Sequence, residues 1–155
     1  MKGDPTLPKG FKTDKLGSWT TLSTDTMAQY FSGTARYTLN FNCLDNQVGK
    51  SGWIDLGDVR ETAEVKLNGK SLGTAWCLPF HVPITEGVLL KENNKLEIEV
   101  TNLSANRIRY LDKKGMVWRK FYDINFVDIS YNAFDASKWL PVASGLLGEV
   151  ILKTN

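Results

Sequence analysis

Two stretches restrict this chain to an antiparallel β fold. The first, Val65-Lys66-Leu67-Asn68-Gly69-Lys70-Ser71-Leu72-Gly73, is a hairpin. Asn-Gly at its centre adopts the positive φ angles of a type I′ turn, whose twist matches the strands on either side. The second, Lys95-Leu96-Glu97-Ile98-Glu99-Val100-Thr101-Asn102-Leu103, alternates polar and apolar side chains. One face of such a strand is buried and the other is wet. Together they predict an antiparallel sandwich.

Further strand signals follow at short intervals. Tyr37, Leu39, Phe41 and Cys43 alternate along 36–43, and Trp53 to Leu56 is a short strand ending at Gly57-Asp58. Phe80, Val82 and Ile84 alternate again, with Pro79 and Pro83 marking an edge or bent strand. Val117 to Phe121, Phe126 to Tyr131 and Glu149 to Leu152 complete the set. Short strands punctuated by turn residues define an all-β class, and no βαβ period is present. Thr24 to Tyr30 reads as a short helix or turn, and Trp19 and Trp53 read as core residues. Residues 1–18 read as a linker or loose edge, leaving 19–155 as one domain.

The bulk numbers exclude several functions. With 42% hydrophobic and 23% charged residues, the chain has the composition of a globular domain. The 19 basic and 17 acidic residues are too balanced to predict nucleic-acid or membrane binding. Lys113-Lys114 and Arg119-Lys120 read as solvated pairs. No apolar run approaches the roughly 18 residues of a membrane helix. The N-terminus lacks the apolar core of a signal peptide, and the chain reads as an excised piece of a longer polypeptide. Cys43 and Cys77 lack metal-ligand spacing; Cys43 reads as a small buried hydrophobe, and a disulfide between the two is left open.

The irregular stretch from Ser104 to Gly148 concentrates the chemistry. It holds Tyr110, Trp118, Tyr122, Tyr131 and Trp139, with Asp112, Asp123, Asp128 and Asp135. Long aromatic and acidic connections in a compact domain are functional or packed against something. His81, the sole histidine, points away from the apolar side chains of its strand and reads as a surface residue.

Four segments in order resemble the sugar-binding domain of glycoside hydrolase family 2 and related modules of family 106 α-L-rhamnosidases. They are Tyr30-Phe31-Ser32-Gly33-Thr34-Ala35-Arg36-Tyr37; Leu56-Gly57-Asp58-Val59 with Ala63 to Gly69 and Leu72 to Trp76; Asn94 to Asn102 with Asn106-Arg107; and Trp139-Leu140-Pro141 with Ser144 to Val150. The resemblance implies a galactose-binding-like jelly roll that sits beside a catalytic barrel and lends loop residues to a sugar pocket. A barrel needs about 250 residues, so the implied role is a non-catalytic carbohydrate-binding or scaffold module of a larger enzyme, secreted or periplasmic. Its partners would be a galactoside, rhamnoside or pectic oligosaccharide and the catalytic domain of the same polypeptide. A purely bracing module and a small standalone glycosidase are the alternatives.

Sugars are recognised by flat aromatic faces and by planar polar groups that pair with hydroxyls. Trp76, Tyr110, Trp118 and Trp139 are the candidate faces, against the reading that each packs the core. Asn106, Arg107 and Asp112 are the candidate hydroxyl partners, against an Arg107–Asp112 bridge that pins the loop. No catalytic pair is assigned, and no cofactor is expected. A structural calcium held by the acids at 123, 128 and 135 is compatible with such a fold, although no Asp-x-Asp-x-Asp-Gly loop is present.

Overall fold

The structure, a computed structural model, describes residues 7–120, 127 and 129–155. Its order is α1 (Trp19–Leu22), a 3₁₀ turn (Thr26–Tyr30), β1 (Thr34–Phe41), β2 (Gly52–Asp55), β3 (Val59–Arg60), β4 (Thr62–Leu67), β5 (Lys70–Ala75), β6 (His81–Ile84), β7 (Asn94–Thr101), α2 (Ala105–Lys113), β8 (Gly145–Leu146) and β9 (Ile151–Thr154). Every paired strand is antiparallel. The four-stranded sheet runs β1-β7-β4-β5, a three-stranded sheet runs β6-β2-β9, and β3 pairs with β8.

Alternation builds the core. In β7, Leu96, Ile98 and Val100 are buried while Lys95, Glu97 and Glu99 lie on the other face. The register sets Leu96 opposite Leu67 and Leu39, Ile98 opposite Val65 and Tyr37, and Val100 opposite Ala63 and Ala35. Ile54 of β2, between Val82 and Leu152, joins the same core from the three-stranded sheet. The wet face is a charge ladder. Glu64 stands opposite Glu99, and Arg36 contacts Glu99 at 2.5 Å. Lys66 meets Glu64 at 3.2 Å and Lys95 meets Glu97 at 2.9 Å.

The hairpin closes as predicted, with φ of 53° at Asn68 and 78° at Gly69. Buried Asn94 fastens this end: its side chain accepts from Leu90 N–H and Asn68 Nδ2 and donates to the Leu90 carbonyl. Pro83 lies in β6, an edge strand, where a missing N–H costs no ladder bond.

Several expectations are corrected. Trp53 is outside the core. In Gly52-Trp53-Ile54-Asp55-Leu56 either parity could face inward; Ile54 and Leu56 take the core, and Trp53 stands between Pro83 and Lys153 on the outer face. The 104–148 stretch is not wholly irregular, because its start is α2. Residues 117–120 form no strand. Val127 makes only an isolated bridge to Ala133, and residues 121, 126 and 128 of the expected strands lie outside the described residues. The last strand begins at Ile151 rather than Glu149. His81 lies at the surface and pairs with Asp55 at 3.2 Å. Among the described residues no helix is long and apolar enough to cross a membrane.

Both cysteines are free thiols. Cys77 is exposed, whereas partial burial pushes the Cys43 thiol up, opposed by a contact from Asn94 Nδ2 at 3.6 Å. Only the thiolate reacts quickly with a disulfide reagent. Ellman titration of the native chain is therefore expected to show one fast thiol, Cys77, and a slower second, Cys43. Two equally fast thiols would contradict this assignment.

Candidate functional site

Trp76 and α2 leave the four-stranded sheet at the same end, Trp76 from the edge strand β5 and α2 from the inner strand β7. The register brings the start of β1, the start of β4, the end of β5 and the end of β7 to that end. Trp76 follows β5 directly, and α2 begins four residues after β7. The helix stops where a Schellman motif closes it. Gly115 takes φ 63°, its N–H bonds the Asp112 carbonyl, and Met116 N–H bonds the Leu111 carbonyl. The sequence carried this stop signal as Gly115, whereas Ser104, before the helix, makes no side-chain capping bond.

Asn106, on the first turn of α2, is 2% exposed. Its Nδ2 donates to the Val142 carbonyl at 2.8 Å, and its Oδ1 accepts from Val142 N–H at 2.8 Å. It also reaches Ser144 Oγ at 3.3 Å, which lies 3.1 Å from Asn102 Nδ2. Asn102 in turn accepts from Gly33 N–H and donates to the Phe31 carbonyl. These buried amides tie β7, α2, the 142–144 segment and the approach to β1 into one brace. Gly145 follows it at φ 110°, where a Cβ would stand 2.6 Å from the Tyr37 hydroxyl and 2.9 Å from Trp19.

Asp112, at the far end of α2, has a side chain 8% exposed. Oδ1 accepts from Trp118 Nε1 at 2.6 Å and Oδ2 from Ala136 N–H at 2.8 Å. Its cation is Arg119, at 3.5 Å, and not Arg107. Arg107 instead lies over Tyr110, 5.6 Å from the ring centroid, and Tyr110 stacks on Tyr30 at 4.4 Å. Helical spacing explains the exchange: residue 107 is five positions from 112 and turned away from it, but three from 110 and beside it.

Arg119 is held and not solvated as its sequence context suggested. Its guanidinium donates to the Phe134 carbonyl and lies 5.4 Å from the Trp118 ring and 5.5 Å from Phe134. Phe134 meets Trp118 and Trp139 edge-on, at 6.1 and 5.5 Å. Arg109 Nε donates to the Trp139 carbonyl at 2.5 Å. Asp112, Trp118 and Trp139 thus share one cluster, whose missed members are Arg109, Arg119 and Phe134. Sequence offered no long-range sign of these three, since their partners lie up to 30 residues away.

A cleft of about 250 Å³ opens beside this cluster, lined by Asp112, Gly115, Met116, Val117, Trp118 and Arg119. It is smaller than the roughly 300–1,000 Å³ of drug-sized pockets and has room for about one sugar ring. Among the described residues Asp112 is its sole acid. Trp76 is 72% exposed and Trp139 43%, so both offer ring surface to solvent. Asp135 is held low chiefly by the Ser137 N–H, with the Ser137 hydroxyl adding to it. Tyr122, Asp123 and Asp128 lie outside the described residues. Among the described residues no group of three His, Cys, Asp or Glu side chains is placed to hold a metal ion.

Comparison with known proteins adds a relationship to this geometry. No family model matches the chain. A protein of Formosa agariphila named "Putative beta-glucuronidase" is 44% identical over 98 residues, 61% of this chain and 8% of that protein. The rhamnosidase structure from Novosphingobium sp. PP1Y is 32% identical, with a TM-score of 0.62 over 84% of this chain and 12% of that one. A β-glucuronidase from Ruminococcus gnavus, 18% identical, shares the fold with a TM-score of 0.51 over 62% of this chain and 17% of its own. The chain is therefore a glycoside hydrolase-related β domain. It spans about one tenth of the length of the first two relatives it matches.

Proposed function

We propose that this chain is a non-catalytic jelly-roll module of a larger glycoside hydrolase, and that its α2 end presents aromatic and polar groups to a sugar. The observation that carries the reading is the match at 32% identity across 84% of this chain but 12% of the Novosphingobium rhamnosidase. The site supports it. Glycoside hydrolysis uses two carboxylates about 5–9.5 Å apart, and Asp112, the one acid lining the cleft among the described residues, has both oxygens engaged by Trp118, Ala136 and Arg119.

Asn106 and Asp112 hold the end together, while Trp76, Trp139, Tyr110 and Arg107 supply the contact surface. Rhamnosides come first as ligands, then glucuronides, galactosides and pectic oligosaccharides. A single shallow site binds weakly, since one ring buries little area. Trp76→Ala is expected to leave stability within about 0.5 kcal/mol while weakening sugar binding about five- to tenfold. Calorimetric or NMR-detected titration of both forms with methyl rhamnoside checks this, and equal affinity of the two would remove Trp76 from the site. Turnover of an aryl glycoside by this chain alone would overturn the non-catalytic reading.

A bracing role has its own support. Leu78 and Leu140, 78% and 84% exposed, neighbour Trp76 and Trp139 in the chain. Exposed apolar side chains suit a face packed against another domain. The two roles are compatible where a module both abuts a catalytic domain and borders its pocket.

A further inference from the structure

The four-stranded sheet has two edges, and they are built differently. β5 is interrupted: its pairing with β4 shifts register between Val65 and Lys66, and it carries Gly73 at φ 117°. Bulges, charges and prolines are the usual means of keeping sheet edges from pairing with other chains. β1 carries no bulge or proline. It pairs with β7 without a break over all eight residues, Thr34 to Phe41, and contains no glycine. Its one charged side chain, Arg36, is drawn inward onto Glu99.

The core-side face of β1 is also incompletely covered. Leu39 is 57% exposed, and a groove of about 900 Å³ runs along the strand, with Leu7, Phe11, Leu16, Phe31, Tyr37 and Leu39 among its walls. The segment at 9–16 borders this groove but is exposed throughout. Among the described residues no backbone hydrogen bond joins it to β1.

We propose that the β1 edge is a self-recognition surface, pairing antiparallel with β1 of a second copy about a two-fold axis at Thr38. The sequence of the strand selects this partner and this register. Facing residues in an antiparallel pair point to the same side of the sheet. Centring on Thr38 sets Ala35 opposite the second copy's Phe41 and Tyr37 opposite its Leu39. All four core-side apolar residues then meet one another over the groove. On the wet side Arg36 meets Asn40, so no like charges face. Centring on Tyr37 leaves Phe41 opposite Gly33, and centring on Arg36 sets two guanidinium groups against each other. An isologous contact of this kind closes at two copies and merges the two four-stranded sheets into one.

Sedimentation velocity of this 155-residue chain over a concentration series tests the proposal. A monomer–dimer equilibrium is expected. The axis places Thr38 against its own copy, so Thr38→Lys and Thr38→Glu are each expected to weaken self-association about tenfold or more. An equimolar mixture of the two is expected to restore it. Leu39→Lys, at a largely exposed position, is expected to abolish it independently, whereas Thr74→Lys on the β5 edge leaves it intact. A chain that stays monomeric throughout, a Thr38→Lys variant that dimerises like the parent, or a mixture that remains monomeric overturns the pairing. The test is independent of sugar binding.

Discussion

Asp112→Ala is expected to lower stability by about 3–4 kcal/mol and the melting temperature by about 10 °C. The carboxylate is nearly buried and collects three partners from two segments: the Trp118 indole, the Ala136 N–H and the Arg119 guanidinium. Removing it leaves two N–H donors without their acceptor and a cation, 20% exposed, without its counter-charge. The large cost of breaking a buried pair comes from the group left behind. Asp112→Asn keeps the volume and one acceptor, so about half that loss is expected. Thermal unfolding followed by circular dichroism reads both. A melting temperature unchanged in Asp112→Ala, with sugar affinity lost, would instead make this carboxylate a direct hydroxyl partner.

The second large effect lies one helix length away. Asn106→Ala is expected to cost about 2–3 kcal/mol. Its amide satisfies both the N–H and the carbonyl of Val142 and contacts Ser144 Oγ, all at a position 2% exposed. Alanine leaves Val142 without both side-chain partners, and the 142–144 segment loses its tie to α2. Asn106→Asp gives no relief: it still accepts from Val142 N–H but turns a buried negative charge toward the Val142 carbonyl. Hydrogen exchange adds a local readout. Amides at 142–146 are expected to lose protection in Asn106→Ala, while the hairpin around Asn68, fastened by Asn94 at the other end of the sheet, retains it.

The fold was legible wherever period and turn chemistry agreed. β7 alternates without interruption, and Asn68-Gly69 has one low-energy answer, so both could be read directly from the chain. Trp53 was not legible, because parity gives two faces and only the packing of Ile54 and Leu56 chooses between them. The helix at Ala105–Lys113 was hidden differently. Gly115 past its end is an ordinary helix-stop signal, but Ser104 before it makes no capping bond, and an aromatic-rich connection has the composition of a loop. The candidate residues were legible by type and not by role. Asn106 and Asp112 suit sugar hydroxyls chemically, yet their partners Val142, Ala136 and Arg119 lie at sequence distances that carry no local pattern. Arg119 beside Lys120 looked like a solvated pair, and only the fold brings Trp118, Phe134 and Asp112 around it.

The proposed sugar contact lies at the end of the chain's fold that carries α2, with the scaffold beneath it fixed. An amide-resolved NMR titration of the labelled chain with rhamnosides, glucuronides, galactosides and pectic oligosaccharides decides whether it exists. Saturable shifts are predicted at Trp76, at Arg107 to Tyr110 and at Trp139, with the Asn68-Gly69 turn unmoved. Shifts centred on that turn, or none with any of the four sugar classes, would contradict it.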